Sequence, residues 1–240
     1  MDPAQNQDLL ALAVTAATVG TLHTLMGPDH YVPFIAIARA KNWSLRRTAA
    51  VTAISGLGHV GSSVILGFLG IMLGIAVHHL TGFEALRGNI AGWLLLSFGV
   101  LYMLWGIERA VRGKRHCHLH VHRDGTVHSH DHNHAADHCH PHVEKEGKSI
   151  TPWVLFAIFV FGPCEPLIPL VMYPAAKGNP MGVVTVTAIF SVCTVAMMLT
   201  CVLLGYAGVF RVRWPGAERY AHALAGFAIA LCGLAIQFGL

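Results

Sequence analysis

Charge is scarce in this chain. Asp, Glu, Lys and Arg make up 12% of its 240 residues, against 54% hydrophobic. The formal net charge of +4 calls for no nucleic-acid partner, because the basic residues are accounted for as topology signals below. Motifs for chemistry are missing too. No nucleophile motif or phosphate-binding glycine loop is present, and the glycines are spread through apolar stretches, so the chain does not read as an enzyme. The first apolar stretch has no basic leader: Asp2 and Asp8 stand at its front, which argues against a cleaved signal. The six cysteines offer no evident disulfide pair. Cys117 and Cys139 fall in a loop expected in the cytoplasm, where stable disulfides are rare. Cys201 and Cys232 read as small apolar fillers within helices.

Long hydrophobic runs are abundant. Six stretches approach the ~20 residues that cross a bilayer: about 9–38, 49–76, 90–108, 152–173, 182–206 and 220–239. They use up nearly the whole chain, so residues 1–240 form a single transmembrane domain. Its divisions are a first three-helix repeat (9–108), a loop (109–151) and a second repeat (152–240). Fourteen of the sixteen Lys and Arg fall in the connections after stretches 1, 3 and 5; Arg87 and Lys177 are the remainder. The positive-inside rule then places both termini outside and residues 109–151 in the cytoplasm, as expected of a multi-pass protein of a bacterial inner membrane. Trp43, Trp93, Trp105, Trp153 and Trp214 mostly lie near expected helix ends, where an aromatic belt belongs.

The two halves share a motif. "MGPDHYVPFI" (26–35) aligns with "FGPCEPLIPL" (161–170), pairing Gly27-Pro28 with Gly162-Pro163, Asp29 with Cys164, and His30 with Glu165. The two copies would enter the membrane from opposite sides. Inverted repeats with helices interrupted at matching positions are the sequence signature of a transporter whose site lies near the midplane. The offset extends to the next helix: His59 follows Pro28 by 31 residues, and Thr194, beside Cys193, follows Pro163 by 31. The expected fold is all-α, with six transmembrane helices in a 3+3 inverted repeat and helices 1 and 4 broken at Gly-Pro.

Ionisable groups inside lipid are costly and point to function. His23, Asp29, His30 and His59 come from one half, and Cys164 and Glu165 from the other. Imidazole with carboxylate, and one thiolate, suits a divalent transition metal better than Mg²⁺ or Ca²⁺. His23 and His30 are seven residues apart, ~10.5 Å along an intact helix. Two imidazoles on one ion need nitrogens within about 4 Å. Pro28 removes an amide donor and forces a kink, which can fold His30 back toward His23.

"TLHTLMGPDHYVPFIAIA", "GLGHV" and "FGPCEP" together resemble the nickel/cobalt transporter superfamily, in particular its NicO-type and urease-accessory membrane proteins. The resemblance covers most of the membrane region. It implies His23, Asp29, His30 and His59 as metal ligands, with Cys164 and Glu165 contributing, and Ni²⁺ or Co²⁺ as the transported ion. Two departures stand out: six residues separate His23 from His30, one more than the common spacing, and Pro-Cys-Glu-Pro replaces Pro-Cys-Pro. "GPCEPLIP" also resembles membrane thiol–disulfide electron carriers of the cytochrome c biogenesis type. Those carriers pair one cysteine from each half, whereas here Asp29 faces Cys164 in the alignment. A metal sensor that moves nothing is a further alternative.

Residues 116–143 hold eleven of the seventeen histidines. Without apolar periodicity the tract is expected to be flexible when metal-free. Its composition binds transition metals, Zn²⁺ and Cu²⁺ as well as Ni²⁺ and Co²⁺. On the cytoplasmic side it would gather ions for export or buffer ions just admitted, and export is slightly favoured. The expected partners are the lipid bilayer and divalent metal ions; the oligomeric state is not legible.

Overall fold

The computed structural model describes residues 3–112, 116–121, 127–132, 150–211 and 218–239. Its helices are α1 (Pro3–Met26), α2 (Val32–Ala40), α3 (Leu45–Met72), α4 (Val77–Arg112), α5 (Thr151–Phe161), α6 (Leu167–Ala176), α7 (Pro180–Arg211) and α8 (Ala221–Gln237). Among the described residues, five helical stretches are long and apolar enough to cross a bilayer: Gln7–Met26, Leu45–Met72, Val77–Arg112, Pro180–Phe210 and Glu218–Gln237. The protein is a multi-pass helical membrane protein. Large apolar side chains point outward, Leu57 63% and Leu101 67% exposed, which is the arrangement lipid rewards and water penalises.

Two interruptions shape the bundle. α1 stops at Met26, a 3₁₀ turn covers Pro28–His30, and α2 resumes at Val32. Pro28 has no amide hydrogen to continue the ladder, and the last α-type bond runs from Gly27 N–H to the His23 carbonyl at 3.1 Å. α5 stops at Phe161 before Gly162-Pro163, and α6 begins at Leu167. With 11 and 10 residues, α5 and α6 are about 16 and 15 Å long, so neither alone crosses a ~30 Å hydrocarbon core.

α1 runs along α7, α3 packs against α5 and α7, α2 lies against α7 and α8, and α6 against α3 and α7. The α4–α8 pair is the most extensive. A β-carbon at Gly99 or Gly106 of α4, or at Gly226 or Gly233 of α8, would collide with the facing helix's backbone. Glycine is what allows these two helices to touch main chain to main chain. One apolar core cluster joins Phe34, Ile37, Leu155, Phe159, Met198 and Ile229; a second joins Ala16, Val60, Leu167, Val171, Val186 and Phe190.

Three expectations need correcting. α4 starts at Val77 rather than near residue 90, so Arg87 lies inside a helix and not in a connection. Glu84, one helical turn earlier, pairs with Arg87, so neither charge ends the helix. Trp43 is 3% exposed and belongs to the core rather than to an interfacial belt; Trp214 lies outside the described residues. Within the histidine-rich tract, His116–Val121 pairs antiparallel with Val127–His132, aligning His116, His118 and His120 with His132, His130 and His128. The His-X-His alternation has the two-residue period of a strand. Residues 133–149, which include Cys139, lie outside the described residues.

The glycine seam sets a test of packing. Gly99→Val should destabilise the protein by about 3 kcal/mol or more, the upper range for overpacking, because backbone cannot move aside. Gly82→Ala, where a β-carbon meets nothing within 4 Å, should be neutral or stabilising by up to about 1 kcal/mol. Thermal unfolding in detergent reads both.

Candidate metal centre

His23 lies in the last turn of α1, His30 ends the 3₁₀ turn and His59 sits midway along α3. The interruption brings them together. One ring nitrogen from each lies within 4.8 Å of the other two. The His30 ring stands edge-on to both neighbours, with centroids 4.8 Å from His23 and 5.0 Å from His59, while the His23 and His59 rings are nearly parallel at 6.5 Å. Nitrogens sharing one ion sit at most about 4.2 Å apart, twice a 2.0–2.1 Å bond. On a tetrahedral ion they sit closer, about 3.4 Å apart, so the longest pair would draw in by up to about 1.4 Å.

Hydrogen bonds fix which nitrogens are free. His30 Nδ1 is 3.2 Å from the Gly27 carbonyl and 3.2 Å from Asp29 Oδ1. His59 Nδ1 is 3.3 Å from the Phe159 carbonyl. Carbonyl and carboxylate oxygens only accept, so each Nδ1 carries the hydrogen and each Nε2 offers a lone pair. Nε2 of His23, His30 and His59 is buried with no hydrogen-bond partner among the described residues. Unpaired buried polar atoms are costly and rare, and here they belong to the three histidines whose ring nitrogens converge, a donor set that could hold a metal ion. A cavity of about 30 Å³ adjoins it, lined by Asp29, His59, Phe159, Gly162 and Pro163 among others. That is space for an ion or a water, at the meeting point of the two helix breaks.

Local backbone makes this arrangement specific. A β-carbon on Gly27 would lie 2.5 Å from His30 Nδ1 and 2.9 Å from Asp29 Oδ1, so only glycine lets the His30 ring fold back over the turn. Asp29 holds the second nitrogen of His30, as carboxylates do behind metal-binding histidines.

Cys164 and Glu165 stand apart from this cluster. Among the described residues, the convergent ligand atoms belong to the histidines alone. Cys164 is buried, and its amide donates to Glu84 Oε2 at 3.1 Å and Ser63 Oγ at 3.2 Å. Glu165 is exposed. The second break is instead satisfied by an ion pair on α4 that the sequence reading overlooked. Arg87 is salt-bridged to the fully buried Glu84 and donates to the Val160 carbonyl (2.8 Å) and Ser62 Oγ (2.7 Å). A cation thus covers the carbonyl end of α5, and an anion accepts the amide just beyond it, the sign that each helix terminus prefers. The signal was present as Glu-x-x-Arg at one-turn spacing, inside a stretch read as a connection.

No family model, curated protein or solved structure matches this chain. The chemistry of the site is read from its own geometry.

Two outcomes test this. Gly27 has φ −90°, ψ 94°, a conformation alanine adopts freely, so Gly27→Ala should act only by displacing His30. It should weaken Co²⁺ binding to the pure protein by about 10- to 100-fold, followed by visible absorption, with little change in thermal midpoint. Arg87→Leu should cost about 3–5 kcal/mol by leaving Glu84 buried and unpaired, and adding Glu84→Gln should recover part of that in the same unfolding assay.

Proposed function

We propose that the protein moves a divalent transition metal ion, Ni²⁺ or Co²⁺, across the membrane through the His23–His30–His59 site, without hydrolysing a cofactor. The observation that carries this reading is three histidines that each bring a ring nitrogen within 4.8 Å of the other two, each with an Nε2 that is buried and without a partner among the described residues. Imidazole donors with a carboxylate behind them favour such ions over hard cations, and a site deep in a membrane bundle suits passage rather than storage. Asp29 stands in the second layer, bonded to His30, and completes the site electrostatically.

The wider proposal is a six-span bundle in a 3+3 inverted repeat, with α1–α2 and α5–α6 as the interrupted first helices. Support comes from the equivalent placement of the breaks and from reciprocal packing: α1 with α7 and α5 with α3, α2 with α7 and α6 with α3. It also places both termini outside a bacterial inner membrane, residues 109–151 in the cytoplasm, and export as the favoured direction. The resemblance to nickel/cobalt transporters enters on the same footing. The thiol-relay alternative is less well supported, since Cys164 is fully buried and Cys164, Cys193, Cys201 and Cys232 are all free.

The test is flux into sealed vesicles containing only the pure protein and lipid. Ni²⁺ or Co²⁺ should cross in the unaltered protein, and His30→Ala or His59→Ala should reduce the rate to the lipid background while the protein still folds. Deleting residues 116–142 with a flexible linker should leave transport in place and change its apparent affinity or selectivity. Transport that survives His30→Ala but not the deletion would put the chemistry in the loop. Binding without flux would make the protein a sensor. Loss of activity on Cys164→Ser with metal binding intact would favour the thiol relay.

A further inference from the structure

Hydroxyls in a helix usually donate to the carbonyl four residues back, and this protein follows the habit. Thr15, Thr24, Thr187, Ser191 and Thr200 all do so at 2.6–2.8 Å. Thr52, Ser55 and Thr194 do not. All three are fully buried, and their hydroxyl oxygens have no hydrogen-bond partner among the described residues. A buried hydroxyl that passes over an available carbonyl loses a hydrogen bond that costs nothing to make. Three such losses around one site need a reason.

Their placement supplies it. Thr52 and Ser55 precede His59 by seven and four residues on α3, so they share its face, about 10 and 6 Å along the axis. That face is buried from Thr48 to Gly70. Thr194 lies against α1: its Oγ1 is 3.2 Å from where a β-carbon on Gly20 would sit, one turn from His23. Gly56 of α3 meets Val195 and Met198 of the same helix α7, so Thr194 is close to the level of the histidines. The free hydroxyls therefore start beside the metal centre and continue along α3 toward the end of the bundle that holds residues 41–44.

We propose that Ser55 and Thr52, with Thr194 beside the histidines, form a file of neutral oxygen donors that solvates the metal ion between the three-histidine site and that end of the bundle. This rests on the transport reading above. An ion leaving the imidazoles must not be bare in a low-dielectric interior, and each hydroxyl lone pair stands in for one water of hydration. Neutral oxygens bind a divalent ion too weakly to trap it, which a path needs and a site does not. The histidines supply the selective stop, and the hydroxyls supply the passage.

The experiment compares Thr52→Val/Ser55→Ala with Thr52→Ser and the unaltered protein, using Co²⁺ as the probe. Valine keeps the shape of threonine without its oxygen. In sealed vesicles the double variant should lose at least ten-fold in initial Co²⁺ flux, while Thr52→Ser keeps at least half the rate. In detergent, the double variant should bind Co²⁺ with the same visible spectrum and within two-fold of the unaltered affinity. Its thermal midpoint should hold or rise, since a buried unpaired hydroxyl has been removed. Flux within two-fold of the unaltered protein overturns the file, as does a Thr52→Ser variant as slow as the double variant. So does parallel loss of Co²⁺ binding or a lowered midpoint, which would make the hydroxyls part of the site or of the packing. Absence of flux from the unaltered protein is a separate result that removes the transport reading and the file with it.

Discussion

A backbone amide or carbonyl freed inside a membrane has no water to turn to, and must find a partner in the protein. This chain frees such groups twice, at Gly27-Pro28 and at Gly162-Pro163, and much of the rest is arranged around the consequences. At the first break the His30 ring turns back over the turn and meets the Gly27 carbonyl, and its other nitrogen stays unpaired in a ring that lies against His23 and His59. At the second, Phe159 gives its carbonyl to His59, Val160 gives its own to Arg87, and the Cys164 amide goes to Glu84 and Ser63. The Gly27 carbonyl also accepts the His30 amide and the Phe159 carbonyl the Gly162 amide, each at 3.1 Å, so the imidazoles take the second lone pair of carbonyls exposed at the breaks.

The two breaks are alike in sequence and unlike in use. The first contributes side chains directly to the histidine cluster, through His23 and His30 on either side of it. The second contributes a scaffold: a carbonyl that holds His59 and a Gly162 whose β-carbon position is 3.2 Å from His59 Nδ1. An ion pair fits the second break because a paired, hydrogen-bonded guanidinium can be buried where a lone charge could not.

The sequence displayed the histidine cluster better than its surroundings. His23, His30 and His59 were legible because each is expensive in lipid and two flank a helix breaker, so cost and geometry pointed the same way. Cys164 and Glu165 were drawn in by alignment with Asp29 and His30, but alignment equates positions along a chain and not the directions of side chains. Glu165 is exposed, while Cys164 is buried and reaches Glu84 and Ser63 through its amide. Glu84 and Arg87 were missed for a converse reason: two charges interrupt a hydropathy plot, yet as a neutralised pair they sit inside a continuous helix. The start of α4 was misplaced by the same effect. The α4–α8 contact depends on glycines that a hydropathy reading treats as neutral filler, although their value is the absence of a side chain.

The bond between His59 Nδ1 and the Phe159 carbonyl also works in reverse. A cation on Nε2 withdraws electrons from the ring and makes the Nδ1 hydrogen a stronger donor. Whatever free energy the carbonyl lends to the loaded imidazole, the loaded imidazole returns to the end of α5, since linkage between two equilibria is reciprocal. Phe159 and Val160 are consecutive, so a tightened hold on one carbonyl steadies the neighbour that Arg87 holds. On the proposed reading, a bound ion would be felt as mechanical stiffness in α5, which provides none of the three imidazoles.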